Sequence, residues 1–115
     1  MSTQDIQVNL IDNRDQSRFE FELEDDKIGT IDYKLLGRKM RIMKTEVPED
    51  LRGNGYGSAM VESMLSHIDD IRWKIVPVCS FVKDHIEQTD KWNHLVYKTD
   101  THYDQQKPGL KGYMF

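Results

Sequence analysis

The chain of 115 residues has the length of one domain and can bury one modest core. Its formal net charge of −4 argues against general nucleic-acid binding, which needs clustered lysine and arginine to neutralise phosphates. A single cysteine excludes an intramolecular disulfide framework. Since the sequence also has no signal-peptide pattern and no apolar run long enough to cross a bilayer, we expect a cytoplasmic protein that does not bind membranes.

Alternating apolar and charged residues predict an antiparallel meander in the first half. The segment RFEFEL at 18–23 puts its phenylalanines and leucine on one face and its glutamates on the other. After the turn EDDKIG, a second strand continues the alternation over 29–35. A third strand follows the turn LGRK and runs from Met40 to Val47, and residues 8–11 are a further candidate for an edge strand.

The apolar period becomes helical after a group of three glycines. Six apolar residues between Met60 and Ile71 recur at helical spacing, with polar residues between them. The run WKIVPVCSF at 73–81 predicts a strand covered on both faces, and VKDHIEQ predicts a short helix. The fold class is therefore mixed α+β, an antiparallel meander leading into a β-α-β unit with parallel strands and a short C-terminal helix. We expect one domain over 1–98, with 99–115 as a tail that is disordered or docked.

The segment VPEDLRGNGYG at 47–57 lies between the third strand and the helix. A Walker A loop would need a lysine after its last glycine, and the dinucleotide spacing G-x-G-x-x-G does not fit either. What remains is R-x-x-G-x-G, formed by Arg52, Gly55 and Gly57. Backbone N–H groups at such a helix start converge on an anion, and Arg52 adds a guanidinium. The alternative is a glycine-rich turn that only begins the helix.

Several segments together resemble a known family. TEVP at 45–48, RGNGYG at 52–57 and VPVCSFV at 76–82, with the earlier FEFELEDDKIGTIDY and a later W-x-x-L-V, are similar to the small stand-alone GNAT-like acetyltransferases. The resemblance covers roughly residues 19–96. It implies that the glycine loop binds the pyrophosphate of acetyl-CoA, while the pantetheine arm lies between two splayed strands. Pro48 and Pro77 fit that wedge, because proline cannot donate to a strand ladder. The implied cofactor-binding residues are Val47, Arg52, Gly53, Asn54, Gly55, Tyr56, Gly57 and Ser58.

The same resemblance implies an acetyl-CoA-dependent N-acetyltransferase that works by direct attack of an amine in a ternary complex. The acceptor would be a small-molecule or protein amine, and the enzyme a monomer or weak homodimer. Two alternatives stay open. One is a non-catalytic acyl-CoA-binding module or sensor with a GNAT-like fold, and the other is an interaction protein that recruits a partner through its tail.

Glu46 is the leading candidate for the base that accepts the amine proton, and a backbone N–H near Val47 is the natural oxyanion donor. A salt-bridged strand glutamate is the alternative role for Glu46. The resembling sequences usually read H-T-E-V, whereas this chain has Lys44 in place of the histidine. Lys44 and Glu46 share one strand face, and a pair between them would make the carboxylate a weaker base.

Cys79 is the second catalytic candidate, because the resembling family carries a cysteine in P-x-C. A thiol there is a nucleophile, an acid for the leaving thiolate, or a packing residue. Nothing in the neighbouring sequence predicts a lowered pKa for this thiol, and the histidine nearest to it in the chain is His85. No metal site is predicted, because His67, His94 and His102 show no ligand spacing with one another or with Cys79.

Overall fold

The computed structural model describes residues 6–98, which share one five-stranded sheet in chain order. Neighbouring strands pair antiparallel except for the last pair, which is parallel. The strands are β1 (Asn9–Asn13), β2 (Arg18–Glu22), β3 (Ile28–Leu36), β4 (Lys39–Glu46) and β5 (Lys74–Pro77). Helix α1 (Tyr56–Asp70) joins β4 to β5, and α2 (Ser80–Glu87) follows β5. The predicted α+β fold, a meander leading into a β-α-β unit, is confirmed. The predicted tail 99–115 lies outside the described residues.

One face of the sheet packs against the helices and forms the core. Phe19 and Phe21 of β2 point to this face, as their spacing predicts, and both are completely buried. The apolar stripe of α1 and two residues of α2 join the same cluster, together with Leu51, Trp92 and Leu95. The alternate strand side chains form the opposite face, here called the open face, and they are exposed or half-buried along all five strands.

A β-bulge in β4 decides which of its side chains reach the core. Asp32 pairs with Lys44, but the next residue of β3, Tyr33, pairs with Ile42, so Met43 is an extra residue in the ladder. An extra residue shifts the alternation by one position. Beyond the bulge Thr45 therefore joins the core face, opposite buried Ile31, while Lys44 lies on the open face. A strand without the bulge would have placed Thr45 on the opposite side.

The prediction of a covered strand over 73–81 is wrong in length and in environment. β5 is only four residues long, and its residues Lys74 and Val76 lie on the open face. Pro77 ends the ladder because it has no N–H to donate. The next two amides, of Val78 and Cys79, both donate to the carbonyl oxygen of Ile42, at 3.0 and 2.9 Å. The chain thus turns away from β4 and starts α2.

The outer edge of β5 is covered by the segment after the 3-10 helix Asp90–Leu95. Val96 forms a parallel bridge with Ile75, and the amide of Tyr97 donates to the Ile75 carbonyl at 2.8 Å. This short pairing satisfies part of an edge that would otherwise expose unpaired backbone groups. Within residues 6–98, neither helix has the length and apolar character needed to cross a membrane.

Candidate active site

Strands β4 and β5 are paired only at one end and part at the other. Their ladder covers 39–42 and 74–77, after which β4 continues to Glu46 without β5 beside it. A wedge therefore opens beyond Ile42, where the sequence analysis expected splayed strands. A cavity of about 440 Å³ extends from this wedge to the glycine loop. It is lined by Thr45, Glu46, Val47, Leu51, Arg52, Gly53, Gly55, Gly57, Ser58 and Phe81.

The three glycines of the loop have two different physical roles. Gly53 and Gly55 have φ values of 81° and 91°, a conformation that costs little only for glycine. Gly55 is also the residue that precedes the first turn of α1, and no side chain of residues 6–98 caps that helix start. Gly57 instead leaves room for a ring, because a Cβ there would lie 3.0 Å from Cζ of Phe81. The uncapped N–H groups beside the cavity are suited to an anion.

Polar side chains hold the loop in this conformation. Nε of Arg52 donates to the carbonyl of Val47 at 2.9 Å and ties the loop to the end of β4. This bond uses Nε, so the terminal Nη groups remain for a ligand. The side-chain amide of Asn54 donates to the backbone carbonyls of Leu51 and Arg52, which stabilises the turn itself. The hydroxyl of Tyr56 donates to Glu24 of the β2–β3 turn.

The structure therefore brings six of the eight predicted cofactor-binding residues to the cavity wall: Val47, Arg52, Gly53, Gly55, Gly57 and Ser58. Asn54 and Tyr56 support the loop through the hydrogen bonds described above. Their side chains are thus engaged within the protein, and their contribution to a ligand would come from the backbone.

Glu46 lies at the mouth of the cavity on the open face. Its carboxylate is 3.7 Å from the ammonium of Lys44, so the two groups form the pair that their i, i+2 spacing allows. Both side chains are more than half exposed, at 56% and 63%. Water screens such a pair, and its contribution to stability is small. Glu46 is thus free to approach a substrate at the wedge.

Cys79 lies on the other side of the wedge, on the core face. Its Sγ is 3.6 Å from the hydroxyl oxygen of Thr45. Partial burial opposes ionisation of the thiol, but the N–H of Val82, the Thr45 hydroxyl and the N–H groups of Phe81 and Thr45 stabilise the thiolate. The net effect lowers the pKa of the Cys79 thiol. The expectation that nothing local lowers this pKa is therefore wrong, since the lowering groups come from the bulged strand and from the start of α2.

His85 does not act with Cys79. Its Nε2 lies 2.7 Å from Oε2 of Glu62, on the central helix. The same carboxylate accepts from the indole of Trp92 at 3.0 Å and from the ammonium of Lys91 at 3.1 Å. Burial alone would raise the pKa of Glu62, but these hydrogen bonds lower it to about 2. Glu62 thus joins α1, α2 and the 3-10 helix at a distance from the wedge.

The sequence analysis missed three residues of the cavity wall, Thr45, Leu51 and Phe81. Thr45 was visible within TEVP, but its inward direction depends on the bulge at Met43, for which the sequence carries no clear signal. Phe81 was assigned to a buried strand, yet it lies in the first turn of α2 and is 44% exposed beside Gly57. Its position after Pro77 was the available signal, because a proline at the end of a strand favours a change of direction.

A mixed sheet whose last two strands, β4 and β5, part beside an uncapped helix start is the architecture of a GNAT-like transferase. A family model described as GCN5-related N-acetyl-transferase matches residues 18–95, more than half of the 115 residues. The chain belongs to the GCN5-related N-acetyltransferase family, and its general role is that of an acetyltransferase.

A solved structure supports the fold independently. The NMR structure of a GCN5-like protein from Staphylococcus aureus superimposes with a TM-score of 0.59 and covers 90% of this chain and 99% of its own. The two sequences are 20% identical, so the likeness concerns the fold.

Proposed function

We propose that this protein is an acetyl-CoA-dependent N-acetyltransferase that transfers the acetyl group directly to an amine held with the cofactor in one ternary complex. The observation that carries the proposal is the cavity between the free end of β4 and the glycine loop. We further propose that the protein acts in the cytoplasm as a monomer or weak homodimer. Its one cysteine, Cys79, is a free thiol, as expected in a reducing compartment.

The residues of the cavity fit acetyl-CoA. The uncapped N–H groups after Gly55 and the Nη groups of Arg52 would bind the pyrophosphate. Val47 and the ring of Phe81 offer apolar walls to the pantetheine arm. A volume of about 440 Å³ lies within the range of small-molecule sites. When bound, acetyl-CoA supplies an acetyl group activated as a thioester.

Three groups of the chain handle charge and protons in this proposal. Glu46 accepts the proton that the amine loses as its nitrogen forms the new C–N bond. The Cys79 thiol gives a proton to the sulfur released when the C–S bond breaks. The N–H of Val47 donates to the oxygen that becomes negative, and the bond from Arg52 to the Val47 carbonyl fixes this end of β4.

One observation favours a second function, a non-catalytic acyl-CoA-binding module. Lys44 lies 3.7 Å from Glu46, so the candidate base is already engaged in an ion pair within the protein. Such a module would use the same cavity and bind acyl-CoA without turnover.

Release of free CoA in the presence of a panel of amines separates the two functions. We expect turnover by the wild type, and a loss of about 10²–10⁴ in kcat for Glu46→Gln, the range for removal of a general base. Glu22→Gln, at another exposed carboxylate of the open face, is the matched control and keeps full activity. Calorimetric CoA binding without turnover supports the binding module. No CoA binding at millimolar concentration refutes both functions.

A further inference from the structure

Charges on the open face are distributed unevenly between its two halves. In the half near the wedge each cation pairs with a carboxylate, since Arg18 lies 3.0 Å from Glu20 and Lys44 lies 3.7 Å from Glu46, and Asp32 of β3 lies between the two cations. The other half comprises the end of β3 and the paired segments of β4 and β5. This second half is here called the basic half, after its four cations Lys34, Lys39, Arg41 and Lys74.

The strand register brings these four cations side by side. Lys34 lies directly opposite Arg41, and Lys39 lies directly opposite Lys74. Like charges opposite one another on a sheet are destabilising. No carboxylate within residues 6–98 forms an ion pair with any of the four. The Lys74 ammonium donates to the carbonyl oxygen of His94, so Lys34, Lys39 and Arg41 supply most of the positive charge that an anionic ligand would relieve.

Apolar side chains lie among these cations. Leu36 is opposite Lys39 and 58% exposed, and Val76 is opposite Arg41. Tyr97 is 40% exposed, and the Lys39 ammonium lies 4.3 Å from its ring centre. Mixed charge and apolar surface suits an acidic polypeptide better than an inorganic anion. A single aromatic ring offers no platform on which successive nucleic-acid bases could stack.

The basic half and the candidate active site lie along the same strand. From Arg41 to Glu46, β4 covers five residues, or about 16 Å. An extended peptide spans this distance with about five of its own residues. Suppose that the amine of a polypeptide reaches the wedge from the open face. The side chains four to six residues from that amine would then lie over the basic half.

We propose that the acceptor is an amine of a polypeptide that carries aspartate or glutamate about four to six residues from that amine, and that the basic half binds those carboxylates. The inference rests on the proposed acetyltransferase function and names its acceptor class. Charge complementarity carries it. The same four cations repel a polyamine, which makes such an acceptor unfavourable.

Peptides of about ten residues test this docking. Each has a blocked N-terminus and one lysine, and they differ only at the positions four to six from that lysine, where they carry aspartate, asparagine or arginine. We measure kcat/KM by CoA release, and affinity by fluorescence anisotropy without acetyl-CoA. We expect the aspartate peptide to be preferred, with affinity that falls as salt rises. Arg41→Glu should lower both quantities about ten-fold for this peptide and favour the arginine peptide instead.

Lys83→Glu makes the same charge change at an exposed position of α2 and should leave the preference unchanged. Equal acetylation of the three peptides refutes the docking role and leaves the acetyltransferase standing. Arg41-dependent binding with no acetylation of any peptide or amine refutes the acetyltransferase and, with it, the acceptor role. A single-stranded oligonucleotide that binds more tightly than the aspartate peptide overturns the proposal. Peptide binding that occurs only in the double variant Asp100→Asn/Asp104→Asn also overturns the proposal, because the chain's own C-terminal segment would then be the occupant of the basic half.

Discussion

Alanine at Gly55 should damage cofactor binding as well as stability, whereas alanine at Gly37 should damage stability alone. Gly55 has a φ of 91° at the start of α1, and Gly37 has a φ of 65° in the β3–β4 turn, far from the cavity. A side chain in this conformation costs about 1–2 kcal/mol at either position. The Cβ at Gly55 would also approach the flexible end of Ile6 at 3.1 Å, a contact that a small movement relieves. Both variants should therefore unfold at a lower temperature, by about 4–8 °C for each kcal/mol lost.

The two variants should differ in their response to CoA. At a concentration of 100 Kd, CoA should add about 2.7 kcal/mol to the stability of the wild type and of Gly37→Ala. In Gly55→Ala the backbone should move to relieve the strained φ, and this movement reorients the N–H groups that face the anion. If CoA then binds ten-fold more weakly, about 1.4 kcal/mol of that gain is lost. Scanning fluorimetry with and without CoA measures the gain, and calorimetry gives Kd. An equal CoA-dependent rise in Tm for both variants would show that the loop is not the anion site.

Two further predictions concern single side chains. Thr45→Val removes a hydroxyl that stabilises the Cys79 thiolate, so the pH profile of alkylation by iodoacetamide should move to higher pH. The control Thr30→Val, on the open face, should leave this pH profile unchanged. An unchanged pH profile for Thr45→Val would contradict the assigned cause. The pKa of Glu62 is lowered to about 2 in the folded protein, so its contribution to stability is present above pH about 4.5 and is lost as the pH falls towards 2. Since the carboxylate is 38% exposed, we discount its contribution to about 1 kcal/mol. The stability gap between wild type and Glu62→Gln, measured by urea unfolding, should close over that window; a constant gap would refute the assignment.

The order and type of the main elements could be predicted from periodicity. Alternation at 18–23 and helical spacing after Met60 are local signals, and the structure has β2 and α1 there. The prediction for the run 73–81 was wrong because apolar content alone cannot distinguish one long strand from a short strand that is followed by a helix. The end is set by Pro77 together with a carbonyl on another strand, that of Ile42, which accepts two amides. The local sequence contains no signal for that second partner.

The position of the candidate site was predictable, but its chemical environment was not. The glycine spacing located the loop, and the prolines located the wedge, because both depend on backbone properties of the residues themselves. The lowered pKa of Cys79 depends instead on Thr45, a residue 34 positions away, and on the start of α2. These groups meet only because the register of β4 and the turn after Pro77 bring them together.

The two candidate proton-handling groups, Glu46 and the Cys79 thiol, lie on opposite faces of the sheet because of the bulge at Met43. Thr45 points to the core face, where it meets Cys79, while Lys44 and Glu46 point to the open face. In the proposed reaction the amine loses its proton on the open face, and the thiolate of CoA receives one from the core side. Lys44, whose position is a histidine in the resembling sequences, lies beside the proposed proton acceptor Glu46 and on the face of the sheet opposite the thiol. If the proposed reaction is right, a change of Lys44 should alter proton transfer from the amine, while cofactor binding and thiol chemistry should depend on a separate set of residues.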